Sequence, residues 1–361
     1  MGKKNIFFLL PVFIYGGAGQ SIKRIITNLN KKKYKINVIC LGKCAYKKEL
    51  RKKSVKIYEI NKKKLILSIG EIKKILKKNK EEKKILISNI HYANVLSLLF
   101  FRKIKNLKII VNERTAIKEL DIYFNTVDFI KKKIIKFLIF FLYKYSDSII
   151  TNSTKASLDL SRIINKKVNT IFSPSYINVP YFKKNKNNTK NIITITRLSV
   201  EKNIVTLLKA VNLIKNKNFI LKIVGDGNQE EILKNYVKDN RLEKKVKFIG
   251  FEKNISKHLK NSDLYINCSF FEGFPNSVVE ALCYKVPVIC SKSHGGIYDI
   301  LKKNKFGYLF ELNEKSLSEL IFKFLKSDTS FKKKTLLAQS AIRKFSLKEC
   351  VRGYEKIFDK I

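Results

Sequence analysis

Short apolar runs alternate with helical segments along almost the whole chain, and this alternation limits the folds open to it more than any other feature. In the first half the runs are Ile6–Tyr15, Ile36–Leu41, Ile85–Ser88, Leu107–Val111 and Ser148–Thr151. In the second half they are Ile192–Thr196, Phe219–Val224, Val246–Ile249, Leu264–Asn267 and Val286–Cys290. Strands that alternate with helices pair into parallel, doubly wound sheets. The sequence therefore predicts an α/β protein.

Two sets of runs in 361 residues predict two domains, because a chain of this length exceeds one comfortable core. The polar stretch 182–190 is the clear break in composition and is the predicted linker. We therefore expect a first domain over 1–181 and a second over 191–345. Ligands of open α/β sheets bind beyond the carboxyl ends of the strands. Two such sheets facing each other would hold their substrates in the cleft between them.

Two carboxylates, Glu272 and Glu280, stand eight positions apart around a predicted helix start. Amide N–H groups at a helix start form an anion site, which the helix dipole strengthens. A nucleotide sugar fits this pattern, with its diphosphate on the amides, hexose hydroxyls at Glu272 and ribose hydroxyls at Glu280. The spacing alone also fits a surface helix with two solvated glutamates. The residues between the two carboxylates that would line the donor site are Gly273, Phe274, Pro275, Asn276 and Ser277.

The run 271–281 resembles the E-G-F-x-N-x-x-x-E-A motif of glycosyltransferase family 4, whose members are retaining enzymes with the GT-B fold. The segment 196–203 is similar to the family's R-L-x-x-E-K-N block, whose arginine and lysine hold the donor diphosphate. Here these are Arg197 and Lys202. Further similar blocks place donor-binding residues at the ends of other strands, at Gly16, Gly17, Gly225, Gly250 and Phe251.

The resemblance implies two Rossmann-like domains facing a central cleft, with a last helix, 346–361, that crosses back to the first domain. It implies transfer of a hexose or N-acetylhexosamine from a nucleotide sugar, most simply a UDP-sugar, to a membrane-linked glycan. Lipid-linked oligosaccharide, O-antigen, capsule and lipopolysaccharide core are acceptors of this kind. A nucleotide-sugar epimerase of the same fold and a non-catalytic basic protein that binds polyanions remain the alternatives.

The chemistry predicted for the leaving group requires no metal and no cofactor. Negative charge grows on the departing nucleoside diphosphate, and many glycosyltransferases offset it with a divalent ion held by an aspartate pair. The chain has no Asp-x-Asp and no His or Cys cluster at ligand spacing. In the arrangement that the resemblance implies, an arginine, a lysine and a helix start replace the metal.

Candidates on the acceptor side come from the ends of first-domain strands. His91 follows the run ending near Asn89, and a histidine in this region contacts the transferred sugar in some family members, so a catalytic role and a structural role are both open. Glu113 and Arg114 resemble a block found in glycan-assembling members. His294 lies in a glycine loop near the expected donor sugar, whereas His258, among lysines, is expected to be solvated.

Charge is the most unusual compositional feature, since 76 Lys plus Arg against 29 Asp plus Glu give a net charge of +47. The lysines are spread evenly, and no nucleic-acid-binding motif is present, so nucleic acid is not expected as a partner. An anionic membrane surface suits the segment 128–145, which is both basic and apolar. The alternative is a core helix with charged ends. We therefore expect a cytoplasmic protein attached peripherally to the inner face of the cytoplasmic membrane, with its six scattered cysteines reduced.

Overall fold

The computed structural model describes residues 3–78, 82–123, 125–183 and 188–361. The chain forms two compact units, one comprising Met1–Pro174 together with Leu347–Ile361 and the other comprising Ser175–Ser346. Each unit is built on its own parallel sheet. Among the residues so described, no helix has the length and apolar character needed to cross a bilayer.

The first unit contains a seven-stranded parallel sheet with the strand order 3-2-1-4-5-6-7. Its strands are β1 (Lys4–Leu10), β2 (Tyr34–Cys40), β3 (Lys56–Glu59), β4 (Lys84–Asn89), β5 (Leu107–Glu113), β6 (Ser148–Thr151) and β7 (Asn169–Thr170). Its α-helices up to this point are α1 (Gly17–Asn28), α2 (Lys47–Arg51), α3 (Ile69–Lys77), α4 (His91–Phe100), α5 (Thr126–Leu142) and α6 (Thr154–Ile164). Short 3₁₀ turns cover Leu65–Ser68, Ile117–Asp121 and Tyr143–Tyr145.

Strand β1 shows how the apolar runs produce this architecture. Ile6 and Phe8 lie in one hydrophobic cluster, while Phe7 and Leu9 lie in another. Because successive side chains of a strand point to opposite faces, an unbroken apolar run requires that both faces of the sheet be covered. Helices cover both faces here, as a doubly wound sheet requires.

The second unit contains a six-stranded sheet, order 10-9-8-11-13-15, and a separate two-stranded pair. Its strands are β8 (Lys190–Ile195), β9 (Phe219–Val224), β10 (Val246–Gly250), β11 (Leu264–Asn267), β12 (Phe271–Glu272), β13 (Val288–Ser291), β14 (His294–Gly295) and β15 (Tyr308–Phe310). Its α-helices are α7 (Ile204–Leu213), α8 (Glu230–Asp239), α9 (Ser256–Lys260), α10 (Asn276–Cys283), α11 (Ile297–Leu301), α12 (Glu314–Lys326) and α13 (Thr329–Ala341). Two 3₁₀ turns span Val200–Lys202 and Ile342–Phe345.

The last helix, α14 (Leu347–Lys360), packs into the core of the first unit. Cys350, Tyr354 and Phe358 are buried among the residues of α1 and β2. The backbone carbonyl of Phe358 also accepts a hydrogen bond from Lys4 Nζ at 2.6 Å. The first unit is therefore completed by residues that follow the whole of the second unit in sequence.

The division into units falls earlier than the boundary predicted after residue 181. The amides of Ser175 and Tyr176 donate to the Phe345 carbonyl, and the amide of Ile177 lies 3.4 Å from Cys283 Sγ. These bonds tie the segment that begins at Ser175 to the second unit. Within the predicted linker 182–190, residues 184–187 lie outside the described part of the chain.

Candidate functional site

The second unit places its candidate residues where the strand order reverses. The chain runs from β8 outward to β9 and β10, and then returns to β11 on the other side of β8. Loops that leave adjacent strands in opposite directions make a crevice at the carboxyl edge of a sheet, the usual ligand site of such folds. Arg197 and Lys202 follow β8, and Glu272 follows β11. The Phe270 amide joins the two loops by donating to the Glu201 carbonyl at 2.9 Å.

Lys202 and Glu272 form an ion pair at this point. Lys202 Nζ donates to Glu272 Oε1 at 2.8 Å, and the two side chains are only 15% and 13% exposed. The same carboxylate oxygen accepts from Ser269 Oγ at 2.7 Å and lies 3.4 Å from Asn267 Nδ2. Nearly buried charges persist in proteins when they are paired and hydrogen-bonded in this way. The ion pair thus links two residues that stand 70 positions apart in sequence.

The pKa of the Glu272 carboxyl lies below its ordinary value. Burial by itself would raise this pKa, but the Lys202 ammonium and the donors Ser269 and Asn267 outweigh burial. Glu272 is therefore a carboxylate at neutral pH, and it can accept hydrogen bonds from hydroxyl groups of a ligand. Arg197, in contrast, is exposed to solvent.

A glycine fixes the backbone around Glu272. Strands β12 and β14 pair in parallel, with Glu272 opposite Gly295. Gly295 has φ +113°, and a Cβ built there would lie 1.6 Å from the Glu272 carbonyl oxygen. The next amide, that of Gly296, donates to the Gly273 carbonyl at 3.0 Å. Only glycine permits this close approach, so the glycine loop containing His294 sets the backbone that carries the carboxylate.

Helix α10 begins immediately after this turn. Pro275 precedes its first residue, Asn276, and no side chain caps the helix start. Ser277 Oγ lies 2.7 Å from Tyr265 Oη, which fixes the hydroxyl against β11. Phe274 packs edge-on against Phe345 with ring centroids 5.0 Å apart. The fifth residue of the helix, Glu280, is half-buried.

The other donor-binding candidates of the second unit meet at the ends of β9 and β10. The Gly225 amide donates to the Gly250 carbonyl at 2.8 Å, and both residues have positive φ, +135° and +79°. A Cβ at Gly225 would lie 1.8 Å from the Thr196 carbonyl oxygen, one residue before Arg197. Phe251 follows Gly250 and exposes 48% of its surface. Glycine at 225 therefore allows the loop after β8 to lie against the end of β9.

In the first unit, the predicted glycines and His91 lie on adjacent strand ends. Gly16, with φ +137°, precedes helix α1, and Gly17 is the first residue of that helix. β1 and β4 are neighbours in the sheet, and His91 begins the helix after β4. This is where the strand order of the first sheet reverses.

The structure brings His91 and Glu113 together in the interior of the first unit. Glu113 is 0% exposed and His91 is 5% exposed, with Nδ1 2.8 Å from Glu113 Oε2. The other carboxylate oxygen accepts from Asn94 Nδ2 at 2.7 Å and from Tyr143 Oη. Burial alone would lower the pKa of His91 and raise the pKa of Glu113. The attraction between the two groups outweighs burial, so the pKa of His91 is raised and that of Glu113 is lowered.

Arg114, the neighbouring acceptor-side candidate, also turns inward. Its Nη2 donates to Ser173 Oγ at 3.3 Å, and its carbonyl accepts from Asn152 Nδ2 at 2.9 Å. Both contacts lie within the first unit. His258 is half-buried rather than fully solvated, with Nε2 3.4 Å from Glu252.

Several residues of these clusters do not follow from motif comparison. Asn267 and Ser269 stand at the end of a predicted strand, where polar residues signal a ligand edge, and they hold Glu272. Tyr143 gives no such signal, because it lies at the end of an apolar helix far from Glu113 in sequence. Across the parts of the chain that the structure describes, no three His, Cys, Asp or Glu side chains are grouped so as to hold a metal ion.

Comparison with known proteins relates the second unit to one family. Residues 180–343 match the family model described as glycosyl transferases group 1. A Campylobacter jejuni protein, N-acetylgalactosamine-N,N'-diacetylbacillosaminyl-diphospho-undecaprenol 4-alpha-N-acetylgalactosaminyltransferase, is 26% identical over 292 residues, 77% of this chain and 72% of that protein. The Escherichia coli UDP-Gal:alpha-D-GlcNAc-diphosphoundecaprenol alpha-1,3-galactosyltransferase is 35% identical over 135 residues, which cover 36% of this chain and 34% of that enzyme.

Solved structures show the same fold. Anabaena HepE in complex with UDP and glucose superposes with a TM-score of 0.79 at 17% identity, over 99% of this chain and 100% of that one. The likeness confirms the predicted α/β class with two Rossmann-like, doubly wound parallel sheets. At this identity the likeness concerns the fold alone.

Proposed function

We propose that this glycosyltransferase, whose residues 180–343 match the family model described as glycosyl transferases group 1, moves a hexose or N-acetylhexosamine from a UDP-sugar to a lipid-linked glycan. The new bond keeps the anomeric configuration of the donor. The glycan acceptor is joined through diphosphate to a polyprenol. The Campylobacter and Escherichia relatives are named for acceptors of this class.

The ion pair of Lys202 and Glu272 is the observation that carries this proposal. It lies beside the start of α10, so a cation, a carboxylate and helix amides meet at one strand edge. A sugar diphosphate offers the complementary groups, which are negative phosphates beside uncharged hydroxyls. In this assignment Glu272 accepts from a hydroxyl of the transferred sugar, while Glu280 accepts from the ribose.

Charge on the departing UDP is offset by Arg197, Lys202 and the amides at the start of α10, without a metal ion. Lys202 and the helix amides are fixed before the reaction, so they need no reorganisation as negative charge grows on the leaving oxygen. Lys202 is held by Glu272 at 2.8 Å and is only slightly exposed. Arg197 is exposed and can turn toward the diphosphate when it binds.

The test is a transfer assay with the purified protein and a panel of UDP-sugars. Undecaprenyl diphosphates carrying N-acetylglucosamine or N-acetylgalactosamine serve as acceptors, and NMR of the product gives its anomeric configuration. We expect one donor to be used with retention, and turnover to persist in excess EDTA. Glu272→Gln should lower kcat about tenfold to a hundredfold, since a hydrogen bond to a charged group is worth about 1.5–3 kcal/mol.

Glu319→Gln is the matched control, because Glu319 is an exposed glutamate on α12 of the same unit. It should leave kcat unchanged. Normal turnover by Glu272→Gln would remove the proposed role of that carboxylate. An epimerised UDP-sugar without transfer would indicate the epimerase instead, and a strict requirement for added manganese would contradict the metal-free mechanism.

We also propose that the first unit attaches to the anionic membrane surface where such acceptors reside. The support comes from helix α5, which buries only Ile135 and Ile139 and exposes most of its other apolar side chains. Lys131 and Lys133 are exposed among them. An exposed face that combines apolar and basic residues suits the headgroup region of a bilayer.

A further inference from the structure

A fully buried carboxylate that the transfer chemistry above does not use lies at the carboxyl end of β5. Glu113 has no exposed surface, so it cannot touch a substrate itself. Its Oε1 accepts from Asn94 and Tyr143, and its Oε2 lies 2.8 Å from His91 Nδ1 as an ion-pair contact. A buried carboxylate remains ionised only when a cation and donors surround it. The natural cation here is the imidazolium of His91.

The backbone before His91 is held in an unusual conformation. Ile90 has φ +70°, a region that β-branched residues rarely adopt. Two hydrogen bonds hold it, from the Ile90 amide to the Asn112 carbonyl and from the Asn94 amide to the Ile90 carbonyl. Such conformations persist where surrounding structure enforces them, commonly at functional sites. The consequence here is that His91 begins α4 beside the end of β5.

The second imidazole nitrogen leads toward the surface. His91 Nε2 lies 3.1 Å from Thr115 Oγ1, and Thr115 is half-buried in the loop after β5. An imidazolium donates from both nitrogens. When the imidazolium forms its ion pair with Glu113 through Nδ1, Nε2–H donates to the Thr115 oxygen, which then acts as acceptor. The Thr115 hydroxyl hydrogen is left to donate outward, at the carboxyl edge of the sheet, where ligands of such sheets bind.

We propose that Glu113, His91 and Thr115 form a relay that presents the Thr115 hydroxyl as a hydrogen-bond donor to an oxygen atom of the acceptor sugar. Thr115 is the contacting residue, and His91 and Glu113 are positioning residues. The relay does not remove a proton from the acceptor, because the Thr115 oxygen already accepts from His91. The buried pair has no net charge, so the ligand atom is an uncharged hydroxyl or carbonyl oxygen rather than a phosphate. This assignment rests on the proposed glycosyl transfer.

The first experiment compares Thr115→Val with Thr115→Ser. Valine keeps the shape and removes the hydroxyl, whereas serine keeps the hydroxyl. The probe is N-acetylglucosamine diphosphate joined to a short, soluble farnesyl chain, and its Kd is measured by calorimetry beside KM and kcat. We expect Thr115→Val to raise Kd and KM for the probe about tenfold, with KM for the UDP-sugar unchanged. Thr115→Ser should stay within about twofold of the wild type.

The second experiment reads the charge of His91 directly. The chain has three histidines, so NMR of imidazole-labelled protein gives three titrations, assigned with His91→Gln and His258→Gln. Among the described residues, the charged groups that act on His91 are Glu113 on β5, Glu119 in the turn 117–121 and Lys132 on α5, while the Tyr143 hydroxyl donates to Glu113. We expect His91 to remain protonated at pH 7.5. In Glu113→Gln it should be neutral at that pH, and KM for the probe should rise there but not at pH 5.5.

These results separate the relay from the proposed function. Unchanged Kd in Thr115→Val, or a neutral His91 in the wild type at pH 7.5, overturns the relay even if transfer is normal. A wild type that binds the probe through Thr115 but transfers no sugar overturns the proposed function and leaves the relay standing. If the wild type does not bind the probe at all, the assignment of the acceptor sugar as the ligand of the Thr115 hydroxyl is wrong.

Discussion

At the scale of single residues, the buried pair of His91 and Glu113 ties the stability of the first unit to pH. The pKa of His91 is raised from 6.5, so its contribution is present below pH 6.5 and is lost as pH rises through the raised value. The pKa of Glu113 is lowered from 4.5, so its contribution is present above pH 4.5 and is lost as pH falls through the lowered value. We expect the pair to stabilise the folded first unit most between pH 4.5 and pH 6.5, where both contributions are fully present.

The measurement is the melting temperature from pH 4 to pH 9, followed by circular dichroism, for the wild type and for the double variant His91→Gln, Glu113→Gln. The double variant lacks both charges but keeps every lysine. The difference in melting temperature between the two proteins therefore cancels the pH effects of the lysines. The difference between the two proteins should be largest near pH 5.5 and should shrink toward both ends. A difference independent of pH would show that the pair is not ionised in the folded protein.

The residue scale also shows how far sequence reasoning reaches. Lys202 and Glu272 were predicted for one site and are joined by an ion pair, because both follow neighbouring parallel strands whose carboxyl ends lie at the same edge of the sheet. Glu113 and Arg114 were predicted to face an acceptor, yet both turn inward. A strand end in sequence does not reveal which way its side chain turns. That depends on distant partners such as Tyr143, whose position only the packed fold determines.

At the scale of elements, helix α5 carries the membrane prediction. Phe137 and Phe140 are 62% and 52% exposed, so they are free to enter a lipid headgroup layer. We expect Phe137→Gln, Phe140→Gln to weaken binding to vesicles rich in phosphatidylglycerol about tenfold or more, since burying one phenylalanine is worth about 1.5–3 kcal/mol. Sedimentation with vesicles measures the bound fraction.

Leu336→Gln, Leu337→Gln is the matched control, because these leucines are also exposed, at 61% and 50%, but lie on α13 of the other unit. It should bind vesicles like the wild type. High salt should weaken the wild type's binding, since the lysine contribution is screened within about 8–10 Å at ordinary ionic strength. Equal binding of both double variants would mean that α5 is not the attachment surface.

Elements also differ in how well they could be predicted. The long apolar strands were located within a few residues because buried parallel strands are apolar on both faces. The edge strands β3 and β15 were not predicted, because Lys56–Glu59 and Tyr308–Phe310 are short and only partly buried. The pair β12 and β14 was also missed, because two-residue strands leave no periodic pattern.

At the scale of the whole molecule, α14 is expected to control the stability of the first unit. Phe358 is fully buried there, with its ring 5.5 Å from that of Tyr34. Phe358→Ala should destabilise the first unit by about 3–5 kcal/mol, the usual cost of emptying a core aromatic site. Hydrogen exchange should then quicken in β1 and β2 but not in β8 and β9. Lys356→Ala, on the exposed side of the same helix, is the control and should change neither set. Equal loss of protection in both units would show that they unfold together.

The position of α14 affects the order in which the two units can fold during translation. Residues 175–346 leave the exit tunnel as one uninterrupted stretch, so the second unit can fold while synthesis continues. The rest of the first unit emerges earlier, but the contacts of Tyr354 and Phe358 with its core cannot form until residues 347–361 have been added. The apolar surface of α1 and β2 that α14 covers in the folded protein therefore stays exposed until α14 has been synthesised. The amino-terminal part of the nascent chain is the part that we expect chaperones to hold longest.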